Sequence, residues 1–304
     1  MKKYAPLSII LAAALWGVDG IFLRPQLYNL KVPLVVFLES FMILLILSPL
    51  IAKRLRGIKG LKLKDWLAFA GVALFGGAIG TMAITKALFY VNYVNLSIVV
   101  LIQKLQPVFA IILASLLLKE KPPKIFFLWS GLAIIGAYIM TFGFSIPHLN
   151  SDQKLLEAAF FALIATFSFA ASTVLGKRAL RNIDFEIGTY LRFVMMSVLM
   201  LIIVAALNDF QYLSEIRKEQ WLVLLAIALM TGGVASFLYY YGLKIVTASV
   251  STICELAFPL TAIILEYILR GHIMSKVQWF GVLILFFSII RVSSLRVESK
   301  NSLV

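Results

Sequence analysis

Charge is the first thing this sequence lacks. Only 14% of its 304 residues are charged, against about a quarter in a typical soluble domain. No long hydrophilic stretch occurs, which leaves no room for a soluble catalytic domain. Cysteine is nearly absent too. The single Cys254 excludes an intramolecular disulfide and a cysteine-rich metal site, and inside an apolar run it reads as a small core residue. The two histidines, His148 and His272, fall in short connections, and neither H-E-x-x-H nor G-x-S-x-G appears. The chain therefore carries no sign of a membrane enzyme, and no cofactor or metal is expected.

What is there is apolar length. Hydrophobic residues make up 62% of the chain, and they gather in runs of about 20, the length that crosses a bilayer as a helix. The fold class is all-α: a polytopic membrane protein with ten predicted helices at 6–23, 32–52, 66–88, 93–118, 124–143, 155–176, 186–207, 221–242, 247–269 and 276–295. The start, MKKYAPLSIILAAALWG, resembles a signal peptide. Nine more runs follow and Asp19 interrupts its end, so it reads as an uncleaved first helix. The net charge of +14 is no sign of nucleic acid, because the basic residues lie between the runs. With both termini inside, 18 Lys and Arg fall in cytoplasmic segments, seven in outer segments and three within spans. The positive-inside rule then places both termini in the cytoplasm. The tail RVESKNSLV is expected to be disordered.

The halves repeat. WLAFAGVALFGGAIGTMAITKALFYV at 66–91 aligns without a gap to WLVLLAIALMTGGVASFLYYYGLKIV at 221–246. Trp66 meets Trp221 and Gly77 meets Gly232. QPVFAIILASLLL at 106–118 aligns to FPLTAIILEYILR at 258–270, with Pro107 opposite Pro259. Five spans per half is an odd number, so the repeats (1–145, and 146–304 with its short cytoplasmic tail) are inverted. That is a transporter architecture with its site near mid-membrane between the halves.

Two five-helix repeats, ALWG early in span one, ALFYV closing span three, and a central proline in spans four and nine resemble the drug/metabolite transporter superfamily, and within it the ten-helix EamA-type exporters. The resemblance covers about 7–143 and 155–293. It implies export or exchange of small metabolites by alternating access, through a central cavity lined mainly by spans one, three, four, six, eight and nine. It gives no substrate. The chain departs from the family in carrying Glu39 where an arginine is frequent, and in three extra residues near 90–95.

Polar residues inside the spans are the candidates. On span four, Asn92, Asn95, Gln103 and Gln106 fall within roughly 80° of one another, with Lys104 about 100° round from Gln103. Such a stripe faces other helices or a cavity, because a lysine facing hydrocarbon costs at least ~2.5–3.5 kcal/mol. The amides serve equally well as interhelical hydrogen bonds. On span nine, Ser251, Glu255, Pro259 and Glu266 share a face, with Glu255 deep and Glu266 near the outer end. Both prolines break a helix and free a carbonyl. Asp19 and Lys86, in the outer third of spans one and three, can pair or flank a vestibule, and Lys86 can also snorkel. Arg192 snorkels to the cytoplasmic edge, and Glu39 needs a partner or a proton. Tyr239 and Trp16 are either belt aromatics or ligand-stacking rings.

The expected site is therefore Trp16, Asp19, Lys86, Asn95, Gln103, Lys104, Gln106, Tyr239 and Glu255. Lys104 lies about 16 Å in from one side and Glu255 about 12 Å from the other, nearly the same depth in a core of about 30 Å. The two are expected to approach each other at the cavity centre, paired directly or through water, and with that goes a zwitterionic, amino-acid-like substrate exported or exchanged across the cytoplasmic membrane. Efflux of hydrophobic drugs is the alternative, while a channel would need a continuous polar path and an assembly protein would leave buried charges idle. The expected partners are the lipid bilayer, a small-molecule substrate and, as a coupling ion taken up by Glu255 or Asp19, protons. The chain acts as a monomer or homodimer.

Overall fold

The structure is a computed structural model that describes residues 4–90, 97–145, 153–270, 275–295 and 298–299. Among them, ten helices are long and apolar enough to cross a membrane: Ala5–Leu27, Val32–Ile51, Leu63–Ala87, Leu101–Leu118, Lys124–Phe142, Leu156–Asn182, Phe185–Ala206, Lys218–Ile245, Ala248–Leu265 and Lys276–Ser294. They are spans one to ten. Large apolar side chains such as Leu45, Leu116, Phe160, Ile202 and Phe287 are exposed on the outside of the bundle, as lipid contact requires. Phe69, Phe126 and Tyr240 fill its interior.

Local chemistry sets the helix starts. Pro6 and Pro33 stand in the first turns of spans one and two, where a missing N–H costs nothing. At span ten, Ser275 Oγ accepts from Gln278 N at 3.2 Å while Gln278 Oε1 accepts from Ser275 N at 2.9 Å, a capping box. Spans three and eight open alike. Asp65 Oδ2 accepts from Lys62 N and Gln220 Oε1 from Arg217 N, both at 3.1 Å. Both spans then widen into π-helical stretches at aligned positions, Ala73–Ile79 and Ile227–Val234. The glycines there admit a neighbour. A Cβ on Gly77 would lie 2.9 Å from Met196 Sδ of span seven, and one on Gly232 would lie 2.7 Å from Ile43 Cδ1 of span two.

The halves interlock through their first helices. Span one packs on the second parts of spans eight and nine, and span six on the second part of span three and both parts of span four. One end of the bundle is stitched. Lys177 Nζ donates to the carbonyls of Leu243 and Lys244, at 2.8 and 2.9 Å. Lys244 Nζ donates in return to Ile183 O at 2.9 Å. Each lysine thus neutralises the carbonyl-rich end of the other's helix. Arg178 pairs with the fully buried Asp65 at 2.8 Å. Glu120, at the close of span four, accepts from Ala248 N and Ser249 N at 2.8 and 3.0 Å, capping span nine from another helix. The same end holds a short antiparallel pairing of Glu120–Lys121 with Glu298–Ser299. This part of the tail was expected to be disordered, and it is ordered because Glu120 and Lys121 offer it free strand edges.

Candidate functional site

Spans four and nine are each broken in the middle. Span four runs Ser97–Gln103, turns at residues 104–105, and resumes as Gln106–Leu113. Span nine runs Ala248–Cys254, turns at residues 255–256, and resumes as Ala257–Arg270. Short turns carry the chain across both breaks. Lys104 N bonds Leu101 O at 3.1 Å, and Leu256 N bonds Ile253 O at 3.1 Å. Pro107 and Pro259 follow the breaks, having no N–H with which to continue the ladder.

Glu255 sits in the span-nine break, and four side chains donate to it. Its Oε1 accepts from Tyr239 Oη at 2.8 Å, Ser251 Oγ at 3.1 Å and Thr173 Oγ1 at 3.3 Å. Its Oε2 accepts from Gln106 Nε2 at 3.2 Å. Tyr239 Oη also lies 3.2 Å from Thr173 Oγ1. The Trp16 ring leans on Tyr239, centroids 5.2 Å apart and tilted by 52°. The cluster thus draws on spans one and four of the first half and six, eight and nine of the second. Tyr239 is 5% exposed, so it belongs to this interior cluster and not to an interfacial belt. Chemically the cluster is an acceptor with aromatic walls: one carboxylate held by neutral donors, able to exchange any of them for a donor on a ligand.

A direct Lys104–Glu255 ion pair does not form. Among the described residues no carboxylate oxygen lies within 4.0 Å of Lys104 Nζ, although Lys104 is only 7% exposed. The stripe assumed one continuous helix at about 100° per residue, and the turn at 104–105 resets that phase. Gln106, beyond the break, therefore reaches Glu255, while Gln103, before it, makes no hydrogen bond to it.

Asp19 and Lys86 do not pair either. Lys86 Nζ stands 4.4 Å from the Phe161 ring centroid. Asp19 instead takes Arg24, which binds Glu39 as well. Arg24 falls just beyond the predicted first helix, 6–23, but span one continues through it to Leu27. Arg192 does not snorkel. Its Cζ lies 5.3 Å from the Tyr240 ring centroid, and its buried Nε has no partner among the described residues. Asn95 and Asn92 lie outside the described residues, as do His148 and His272, and the Glu266 side chain is likewise not described. Thr173 was missed because nothing distinguishes it in sequence from other small polar residues of span six.

Ten apolar helices, two of them broken around interior polar groups, define an integral membrane protein built as a transporter. The chain belongs to the EamA-like transporter family, which it matches over residues 3–142 and 156–294. It is 44% identical to the riboflavin transporter ImpX of Fusobacterium nucleatum subsp. nucleatum over 290 residues, covering 95% of this chain and 97% of that protein. It is 28% identical to the uncharacterized transporter sll1164 of Synechocystis sp. over 240 residues, covering 76% of this chain and 66% of that one. One solved crystal structure superposes with a TM-score of 0.72 at 15% identity, covering 96% of each chain, a likeness of fold.

Proposed function

We propose that this chain carries riboflavin, or a metabolite of the same planar, hydrogen-bonding kind, across the cytoplasmic membrane by alternating access of two inverted halves. The observation that carries this reading is the Glu255 cluster itself: a carboxylate held by neutral donors beside the Trp16–Tyr239 pair. An amino-acid zwitterion needs fixed charges of both signs side by side; among the described residues no cation lies within 4.0 Å of Glu255, and Arg192, whose charge reaches it from further off, stands over Tyr240. A flavin needs something else. Its ring system wants aromatic faces, and its imide N–H and ribityl hydroxyls want an acceptor. The relative at 44% identity is named for riboflavin transport. In this reading Trp16 and Tyr239 meet the ring, Glu255 and Gln106 meet its polar edge, and Lys104, a buried donor with no carboxylate within 4.0 Å among the described residues, serves the ring carbonyls. Both termini face the cytoplasm.

The experiment is counterflow in proteoliposomes loaded with riboflavin. The wild type accumulates labelled riboflavin against its loaded pool, saturably and in either orientation, and amino acids do not compete. Counterflow of an amino acid in the absence of any with riboflavin would return the substrate to the zwitterionic class.

A further inference from the structure

The far ends of spans one and two, away from the stitched face, hold a second cluster. Arg24 Nη2 donates to Asp19 Oδ2 at 2.8 Å, and Arg24 Nη1 donates to Glu39 Oε1 and Oε2 at 2.8 and 3.1 Å. The Asp19 and Glu39 side chains are only 9% and 12% exposed. A widened turn makes this possible. Residues five apart in an α-helix point about 140° away from each other. Asp19–Leu23 form a π turn in which Arg24 N bonds Asp19 O, and such a turn brings residues five apart onto one side.

Two carboxylates share one guanidinium here, so the cluster is one negative charge in excess, inside a helix bundle built for lipid. Its last acceptor is also unused. Asp19 Oδ1 is buried and accepts no hydrogen bond from any described residue. Among the described side chains no other charge pairs with it. The elements packed on the π turn are span nine's second part, which carries Glu266, Tyr267 and Arg270, and the middle of span eight, which carries no ionisable side chain. Of the cations on spans three and seven, which pack on span two, Lys86 stands over Phe161 and Arg192 over Tyr240. Across the adjoining connection, Lys31 stands over Tyr212. Asp209, Glu215, Arg217, Lys218 and Glu219 lie between spans seven and eight at that end, and Lys154, Glu157 and Lys276 open spans six and ten there.

We propose that Asp19, Arg24 and Glu39 form a proton-binding site, in which one proton adds to the Asp19 carboxylate at its unused oxygen and brings the cluster to neutrality. A metal ion would need a shell of some six oxygens, and this cluster has one oxygen to give. Asp19 lies one helical turn beyond Trp16 on span one. A proton arriving there loosens the Asp19–Arg24 tie across the π turn, and so acts on the helix that presents Trp16 to the Glu255 cluster. Glu255 itself, with both oxygens occupied by donors, stays the ligand acceptor. The site rests on this geometry alone and not on riboflavin as the substrate.

The test is therefore independent of any substrate. Infrared difference spectra of the purified full-length protein, recorded between neutral and acid pH, should show a protonated-carboxyl stretch that Asp19→Asn removes. Glu39→Gln should remove it too, because one carboxylate facing Arg24 leaves no excess charge. Glu255→Gln should leave it in place. Thermal unfolding checks that each variant is folded, and where Asp19→Asn is not, Glu39→Gln decides. A stretch that persists undiminished in the folded variants, or that Glu255→Gln abolishes, overturns the proposal.

Discussion

Spans four and nine share a backbone and differ in chemistry. Each breaks at mid-length, crosses the gap in a short turn and resumes before a proline. At one break stands Lys104, buried and, among the described residues, without a carboxylate partner. At the other stands Glu255, accepting from four side chains. The broken frame thus occurs twice, and it carries a charge of each sign once. The two charges do not pair directly, because a break frees each turn to point on its own. The lesson is that repeat symmetry predicts where a helix opens and does not predict what its opened residues touch.

The largest effect concerns the frame. If the halves are inverted, a reporter fused at Asn150, between them, is active outside the cell while reporters at both ends are active inside. A cytoplasmic signal at Asn150 would break the comparison at its root. Next comes the carboxylate. Hydrogen bonds to a charged group are worth about 1.5–3 kcal/mol each, so Glu255→Leu, which removes the acceptor, should cut riboflavin counterflow by roughly ten- to hundred-fold.

Lys104→Met probes the opposite break. A buried ammonium without a carboxylate is costly to hold, so the variant should unfold at a higher temperature than the wild type while its counterflow falls about tenfold, the equivalent of roughly 1.4 kcal/mol. A lowered midpoint would mean that Lys104 is paired after all. Gln106→Leu removes a single donor from Glu255, worth about 1 kcal/mol, and should cost roughly fivefold in apparent affinity. Trp16→Phe keeps a ring against Tyr239, where an aromatic pair is worth about 0.5–1.5 kcal/mol, and should have the smallest effect, visible only in apparent affinity.

Much of this was legible in the sequence. Hydrophobic length gave ten helices, paired prolines marked both breaks, and the depth of Glu255 marked it as a candidate, which the structure surrounds with four donors. Gln106, Tyr239 and Trp16 stood among the candidates and do converge on it. What stayed hidden depends on geometry that no local pattern encodes. The π turn at Asp19–Leu23 carries span one past Arg24, and with it the ion cluster, where an ordinary reading ends the helix. The exchange of caps between Lys177 and Lys244, and the reach of Glu120 to span nine, need distant helix ends to meet. Basic residues counted as loop charges, Arg178 and Lys244 among them, are in fact spent on buried carboxylates and backbone carbonyls.

The central claim is that Glu255, held by neutral donors, is the acceptor for a flavin-like ligand. Quenching of riboflavin fluorescence on binding to the purified protein tests it most directly, with wild type and Glu255→Gln compared at equal thermal midpoints. Saturable quenching by the wild type, with affinity weakened about tenfold or more in Glu255→Gln, is the expected result. Equal affinities for the two proteins would contradict it.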